Sequence, residues 1–398
     1  MNLEGESTMK NKVRRNIKLE YIMRFVEYFS VTEAIWVLYL AYKGLSFAEI
    51  GILEGIFHIT SLLSEVPSGA MADLLGRKKT IILGRICSML SAGLMLAATQ
   101  EWNFAIAFIF SAWGHNLLSG SEEALVYDSF LYLGEEKNYY KVNSRLEVII
   151  EIAQGISTFI GGILAEQSFA YCYIGELIIV AISIVPCFMM EEPVLEERKK
   201  QERVTWKEHF VTSFRVLKDS PQVTKILLFF SLAFTFYTSV YFYSQQYFLE
   251  HGLNKVQIST IMLAAGGISC LGAIFSERFV KWLEERTKYI AAGFVGIGIT
   301  GMFLGNVLVA VSCFMEMSFF NALLYPLQSA SLNKLTPSGQ RATIISVGSM
   351  VTSVFMILLF PAMGWIADQS NLEWTFLLTG NIEIIVLISL GILKKRMI

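Results

Sequence analysis

Residues 64–79 read SEVPSGAMADLLGRKK, a short polar stretch between two long apolar blocks. Its small, acidic and basic positions are Gly69, Asp73, Gly76, Arg77, Lys78 and Lys79. A glycine near a helix end lets a second helix approach closely, and a glycine after a helix permits a tight turn with positive φ. Three consecutive basic residues favour the anionic inner face of a membrane. The stretch therefore predicts a tight cytoplasmic turn between two membrane-spanning helices.

The composition of the whole chain is typical of a membrane protein. Of its 398 residues, 54% are hydrophobic and 17% are charged, whereas soluble domains carry about 25% charged residues. The apolar residues recur in blocks of roughly twenty, the length of helix that crosses a hydrocarbon layer of ~30 Å. The net charge of −2 gives no indication of a nucleic-acid partner.

The apolar blocks predict twelve transmembrane helices, over residues 20–43, 46–72, 78–98, 103–132, 143–166, 170–190, 224–249, 255–276, 288–304, 307–333, 342–366 and 373–393. With these spans, the basic residues concentrate on one side of the membrane, and only Lys43 and Lys255 of the 32 fall on the other side. Basic residues concentrate on the cytoplasmic side of membrane proteins. We therefore predict a multi-pass protein of the cell membrane with both termini in the cytoplasm.

The one long polar segment, 191–222, divides the chain into halves. We predict one six-helix bundle over 1–190, a central cytoplasmic loop over 191–222 and a second bundle over 223–398. Within the loop, Trp206, Phe210, Phe214 and Leu217 recur at helical spacing and predict an amphipathic helix on the membrane face; a flexible linker is the alternative. Residues 161–170 (GGILAEQSFA) and 363–372 (MGWIADQSNL) are similar, which indicates duplication of a six-helix unit.

The turn at 64–79 resembles the signature of the major facilitator superfamily, Gly-x-x-x-Asp-x-x-Gly-Arg-Arg/Lys-Arg/Lys, which joins the second and third helices. All six positions match, and Leu74 departs from the basic residue that often follows the Asp. The resemblance, closest to bacterial twelve-helix efflux-type members, implies an all-α integral membrane fold of two six-helix bundles related by pseudo-twofold symmetry. It also implies transport of a small molecule by alternating access. We expect Asp73 to latch the bundles by accepting hydrogen bonds from the start of the eleventh span, near Ala342.

Ionisable side chains at membrane depth are costly, so each one is a candidate for function. The predicted set in the first half comprises Glu122, Glu123, Glu33, Glu27, Arg24, His115, Glu54, His58 and Glu151. Burial favours the protonated form of a carboxyl group, as proton coupling requires. Glu122 and Glu123 are the first choices and Glu33 the next, and Arg24 or Arg85 is suited to neutralise a carboxylate in one conformation. Structural ion pairs are the alternative.

The second half is richer in aromatic residues than in charges. We predict a substrate cavity lined by Tyr237, Tyr241, Gln245, Asn321, Tyr325 and Gln328, on the seventh and tenth spans. The resemblance implies that these two helices line the cavity together with the first and fourth. An apolar, aromatic pocket with few polar anchors suits drug-sized organic ligands. Contact of these rings with lipid is the alternative.

The direction of transport is left open by the fifth span. Exporters of the family carry Gly-Pro-x-x-Gly-Gly there, whereas this chain has Gly161-Gly162 without the Gly-Pro. We predict proton-coupled efflux, with uptake by symport as the alternative; a sensor of the same fold and a membrane-embedded enzyme are more remote. No catalytic constellation, metal-ligand cluster or cofactor motif is present in the sequence, so no cofactor or metal is predicted. The fold requires no oligomer, and a monomer suffices.

Overall fold

The computed structural model describes residues 3–193, 208, 211, 215, 217–283, 286–335 and 341–395. Its helices are α1 Leu3–Tyr28, α2 Trp36–Tyr42, α3 Phe47–Leu75, α4 Arg77–Ala97, α5 Glu101–Leu133, α6 Tyr139–Gln167, α7 Phe169–Met189, α8 Pro221–Glu250, α9 Lys255–Leu283, α10 Thr287–Gly301, α11 Val307–Leu335, α12 Arg341–Gln369 and α13 Leu372–Lys395. Short 3₁₀ turns at Glu136–Asn138 and Met302–Leu304 join two pairs of them. Strands are absent from the described ranges. The predicted all-α membrane fold is confirmed.

Nine of the described helices are each long and apolar enough to cross a membrane. The other predicted spans correspond to α1 with α2, to α5 and to α13. The predicted boundary between the ninth and tenth spans is also found, because Gly305 has a φ of 67° and ends the turn between α10 and α11. Most of the amphipathic helix predicted around Trp206, Phe210 and Phe214 lies outside the described residues.

The first span differs from its prediction, since residues 20–43 do not form one helix. α1 ends at Tyr28 and α2 begins at Trp36, and the segment 29–35 between them is not helical. Non-helical backbone at membrane depth needs hydrogen-bond partners outside its own helix. The carboxylate of Glu176 on α7 provides them: it accepts bonds of 3.1 Å from the Ser30 hydroxyl and from the Val31 amide. The break is therefore supported by an acid far away in the sequence.

The break also packs closely on α6. A Cβ atom added to Gly161 would collide with the carbonyl group of Val31. Glycine at this position therefore allows the non-helical backbone to lie directly against the α6 backbone. The first of the paired glycines has a packing role that is independent of transport direction.

Replacing Gly161 is expected to destabilise the protein. We expect Gly161→Ala to lower the free energy of unfolding by ~1–3 kcal/mol, because the added methyl group must displace the break. Thermal unfolding in detergent, followed by tryptophan fluorescence, measures the change. Gly120→Ala is the matched control: a Cβ atom there meets nothing within 4 Å, so this helical substitution is expected to be neutral or stabilising. Equal midpoints for both variants would contradict the packing argument.

By its internal contacts the chain forms two compact units. Unit 1 comprises Met1–Glu33 and Thr60–Trp206, and unit 2 comprises Ala34–Ile59 and Lys207–Ile398. The chain therefore leaves unit 1 inside the helix break and returns to it within α3. These units follow the predicted halves except for residues 34–59, and the division into two six-helix bundles stays a prediction.

Contacts within unit 2 hold residues 34–59 against α12. A Cβ atom on Gly51 would lie 2.6 Å from the Cα of Pro361, so the two backbones touch. The carboxylate of Asp368 accepts bonds of 2.8 Å from the amides of Phe47 and Ala48, the first two residues of α3. A carboxylate at a helix N-terminus satisfies free amides and complements the helix dipole.

Removing this carboxylate is expected to loosen the start of α3. Asp368→Ala should reduce the free energy of unfolding by ~0.5–2 kcal/mol, the usual value of a helix N-terminal cap. Asp368→Asn keeps one oxygen acceptor and should lose less. Amide hydrogen exchange of residues 47–50, measured by mass spectrometry, reports the local effect. Unchanged exchange in Asp368→Ala would show that the cap does not stabilise α3.

Candidate functional site

The predicted tight turn between α3 and α4 is present, and its glycine has the positive φ that was expected. Gly76 has a φ of 92°, and a Cβ atom there would lie 2.5 Å from a carboxylate oxygen of Glu192. That carboxylate accepts hydrogen bonds from the amides of Arg77 (2.8 Å) and Lys78 (3.4 Å), at the start of α4. The acid that complements the N-terminus of α4 thus comes from the segment after α7.

The basic residues of the turn bind neighbouring helices of unit 1. Arg77 Nη1 lies 2.5 Å from Asp128 Oδ2 on α5 and also donates to the carbonyl oxygen of Ala124. Lys78 Nζ donates to the carbonyl of Phe188 on α7 over 2.9 Å. These bonds fix the start of α4 between α5 and α7.

The remaining residues of the signature are exposed. Gly69, Asp73 and Lys79 lie on the surface, and among the described residues a Cβ atom on Gly69 would meet nothing within 4 Å. The close helix approach expected at Gly69 is thus not found there. The partner expected for Asp73 belongs to the other unit, and the latch stays a prediction.

Five charged side chains meet inside unit 1 and form the acid–arginine cluster, defined as Glu20, Arg24, Glu27, Arg85 and Glu122. Arg24 Nε donates to Glu20 Oε1 over 2.8 Å, and Arg24 Nη1 lies 3.7 Å from Glu27 Oε2. Arg85 Nη2 donates to Glu122 Oε1 over 2.8 Å and lies 3.5 Å from Glu27 Oε2. Glu27 is therefore shared between the two guanidinium groups.

The cluster is buried and its formal charge is unbalanced. Glu20 and Glu122 are 0% exposed and Arg85 is 3% exposed. Among the described residues, Glu20 Oε2 and Glu122 Oε2 have no hydrogen-bond partner. Three carboxylates face two guanidinium groups, so the fully ionised cluster carries one excess negative charge, which one proton would neutralise.

Helix periodicity and small residues bring the cluster together. Glu20, Arg24 and Glu27 are spaced four and three residues apart and share one face of α1. Where α4 crosses α5, a Cβ atom on Gly84 would lie 2.8 Å from Leu118 Cγ, and one on Gly114 would lie 2.7 Å from Ser88 Oγ. Since the two helices touch at these glycines, Arg85 on α4 reaches Glu122 on α5.

The structure distributes the predicted ionisable residues among different places. Arg24, Glu27 and Glu122 belong to the cluster, whereas Glu123 is exposed and accepts a 3.3 Å hydrogen bond from the Tyr139 hydroxyl. The exposed members of the predicted set also include Glu33, His115 and Glu151.

Glu54 and His58 form a separate pair in unit 2. Glu54 Oε1 lies 3.4 Å from His58 Nε2, and His58 Nδ1 lies 3.3 Å from the Ser353 hydroxyl on α12. The two side chains are 13% and 16% exposed. The pair therefore connects α3 with α12 within unit 2.

The acids that were not among the predicted site residues include Glu20, Asp128 and Glu383, which are buried, and Glu176, which is partly buried. Glu20 stands at the edge of its predicted span, and Glu176 and Glu383 are isolated acids within strongly apolar helices. The isolation of Glu176 and Glu383 in apolar sequence is the signal that could have identified them, because an acid in a transmembrane helix usually faces the protein interior.

The aromatic residues predicted to line a cavity pack on one another between α8 and α11. The Tyr237 hydroxyl lies 3.2 Å from the Ser318 hydroxyl, and its ring lies 5.9 Å from that of Tyr241. Tyr325 stacks on Phe234 at 4.2 Å between ring centroids and remains 52% exposed. Gln245 and Asn321 are buried, and Gln328 is partly buried. The rings of Tyr237, Tyr241 and Tyr325 form what we call the aromatic surface, and Gln328 adds a partly buried amide group.

Comparison with known proteins gives consistent family relationships. The family model described as Major Facilitator Superfamily matches residues 21–315. The uncharacterized MFS-type transporter YxaM of Bacillus subtilis is 22% identical over 371 residues, which cover 91% of each chain. Multidrug resistance protein 2 of the same organism is 24% identical over 86% of this chain and 85% of that protein.

A solved structure of similar fold is the crystal structure of a D-xylose–proton symporter. It superimposes with a TM-score of 0.67 over 96% of this chain and 97% of the symporter, at 16% sequence identity. At that identity the likeness concerns the fold alone.

Proposed function

The chain belongs to the Major Facilitator Superfamily, and we propose that it exports small organic solutes in exchange for protons by alternating access. It is a multi-pass membrane transporter rather than an enzyme. The observation that carries the proton coupling is the acid–arginine cluster, in which Glu122 is fully buried and shares Arg85 with Glu27. All five residues of the cluster belong to unit 1, so every distance that defines the cluster is measured within one compact unit.

The proton is proposed to bind at Glu122. Its Oε2 atom has no hydrogen-bond partner among the described residues, and an ion at this depth is stabilised only by close opposite charge. With Glu122 protonated, Arg24 and Arg85 balance Glu20 and Glu27. When the proton leaves, Arg85 is left to neutralise two carboxylates, which favours rearrangement of α1, α4 and α5.

The solute is proposed to be an amphipathic organic molecule. The aromatic surface of α8 and α11 offers ring faces and a few polar groups, among them Tyr237 and Tyr325. Rings of this kind bind apolar solutes and organic cations. One relative is named a multidrug resistance protein, which supports the same class of substrate.

Uptake by proton symport is the second candidate. It is favoured by the missing Gly-Pro before Gly161. One structure of the same fold is named a D-xylose–proton symporter. Both candidates use the same protonation site and differ in the direction of solute movement.

We also propose roles for the charged residues outside the cluster. Glu33, His115 and Glu151 are proposed to bring protons to and from the cluster, and Glu54 with His58 to form a second relay. Asp73 is proposed to latch the two halves of the transporter. The protein is proposed to act as a monomer in the cell membrane. Both termini are proposed to be cytoplasmic, because the basic residues concentrate on that side.

Transport in proteoliposomes separates the two directions. Vesicles with an acidic lumen accumulate solute through an antiporter, whereas vesicles in an acidic medium accumulate it through a symporter. We expect accumulation of amphipathic organic cations with the acidic lumen, and its loss when an ionophore dissipates the gradient. Accumulation only from the acidic medium would replace export with uptake. Accumulation that is independent of pH would remove proton coupling.

A further inference from the structure

Glu383 lies in the interior of unit 2 and belongs to neither the acid–arginine cluster nor the aromatic surface. Its side chain is 0% exposed and stands near the middle of α13. The other residues of the same buried stripe are apolar or carry hydroxyl groups: Leu372, Phe376, Thr379 and Leu387. The opposite side of α13 is apolar and exposed, as suits a lipid-facing surface, with Trp374, Leu378, Ile382 and Ile385.

The carboxyl group of Glu383 makes no polar contact with any residue that the structure describes. Among the described residues, neither Oε1 nor Oε2 has a hydrogen-bond partner, and no ion pair involves the side chain. In this respect it differs from Glu122, which is bound to Arg85, and from Glu176, which accepts two hydrogen bonds.

The charged groups of α13 itself lie far from Glu383 along the helix. Glu373 and Lys394 are ten and eleven residues away, which corresponds to ~15 Å at the helical rise. Lys395 lies one residue further on. His251 is engaged by Glu373 at 3.2 Å, at the same end of the helix.

The helices packed against α13 likewise carry their charges near their ends. On α10, Gly296 lies against Gly380 and Ile384, and Lys288 is a further eight residues, or ~12 Å, along that helix. On α8, Tyr247 contacts Phe376 at 5.4 Å between ring centroids. The charged residues of α8 are Lys225 and Glu250, and those of α12 are Arg341 and Asp368.

The nearby titratable hydroxyl groups are already engaged. Tyr247 donates to the carbonyl of Met302 over 2.7 Å, and Tyr243 lies within hydrogen-bonding distance of the carbonyls of Phe47 and Phe360. Tyr289 packs with Phe229 in the apolar core to which Leu387 also belongs. Within the part of the chain that the structure describes, the immediate surroundings therefore supply no counter-charge for an ionised carboxylate.

We propose that Glu383 is a proton-binding site of unit 2 and that it is held as a neutral carboxylic acid in this conformation. A buried carboxylate without a partner is far less favourable than the neutral acid, since nothing replaces the water that solvated the ion. A rearrangement that brings α13 into contact with water releases the proton. This site is separate from the one proposed at Glu122 and depends on neither the solute nor the direction of transport.

Infrared difference spectroscopy of the full chain in lipid nanodiscs tests the proposal. At neutral pH the wild type minus Glu383→Gln difference should contain a carbonyl band of a protonated carboxyl group that shifts in D₂O. Glu373→Gln is the matched control on the same helix: Glu373 is partly exposed beside His251, so wild type minus this variant should lack that band. Coincident spectra of wild type and Glu383→Gln in this region would overturn the proposal.

A second variant covers the case in which Glu383→Gln does not fold. Glu383→Asp keeps a carboxyl group but shortens the side chain, so the protonated band should persist at a shifted position. A band that neither moves nor weakens in Glu383→Asp would belong to another acid and would equally overturn the assignment. The measurement uses no solute and no gradient, so failure of the proposed export leaves its result unaffected.

Discussion

Glu122→Gln is expected to reduce gradient-driven accumulation of solute to the level of empty vesicles. Glutamine keeps the shape and hydrogen-bonding capacity of the protonated acid but cannot release a proton. The substituted cluster has Glu20 and Glu27 facing Arg24 and Arg85, so its charge is balanced permanently. Movement of solute down its own gradient should continue in the variant, because glutamine leaves the cluster balanced without a bound proton. Uptake of labelled solute with and without a pH gradient measures both activities.

The neighbouring acid provides the matched control for this experiment. Glu123 is exposed and accepts a hydrogen bond from Tyr139 outside the cluster. We expect Glu123→Gln to retain most of the gradient-driven accumulation. If Glu122→Gln accumulates solute as well as the wild type does, the cluster is a structural ion-pair network and the proton binds elsewhere.

Arg85→Met is expected to cause the largest loss of stability. Arg85 is 3% exposed, and its Nη2 atom contacts both Glu27 and Glu122. Removing one partner of a buried ion pair costs ~3–5 kcal/mol, because the remaining charge is left without compensation. Thermal or denaturant unfolding in detergent should show a marked decrease. As a control, Lys281→Met removes an exposed pair with Glu277 and should change nothing measurable.

The double variant Arg85→Met/Glu122→Gln tests the mechanism of this loss. Glutamine removes the carboxylate that Arg85 neutralises, so part of the lost stability should return. Residues in direct contact show such coupling in double-mutant cycles. If the two effects simply add, the loss in Arg85→Met arises from packing rather than from charge.

The local features of the fold follow directly from sequence. Gly76 and Gly305 mark turns with positive φ, and both turns are present where the glycines indicate them. The apolar blocks identify the spans because helix length and membrane thickness are matched. The signature at 64–79 identifies the family, and the family determines the fold.

The features that sequence did not predict depend on distant contacts. Residues 29–35 contain no glycine or proline that would mark a helix end, and the break forms because Glu176 and Gly161 support its backbone. Residues 34–59 group with unit 2 through Gly51, Pro361 and Asp368. Glu122 and Glu123 are adjacent in sequence and equivalent by composition, and only the crossing of α4 and α5 distinguishes them.

Simultaneous recording of proton and solute movement tests whether the two are exchanged for one another. Proteoliposomes that contain a pH-sensitive dye receive labelled solute without an imposed pH gradient. For the wild type we predict proton movement opposite to the solute, and for Glu122→Gln we predict solute movement without proton movement. Solute transport by the wild type with no displacement of protons would contradict the account.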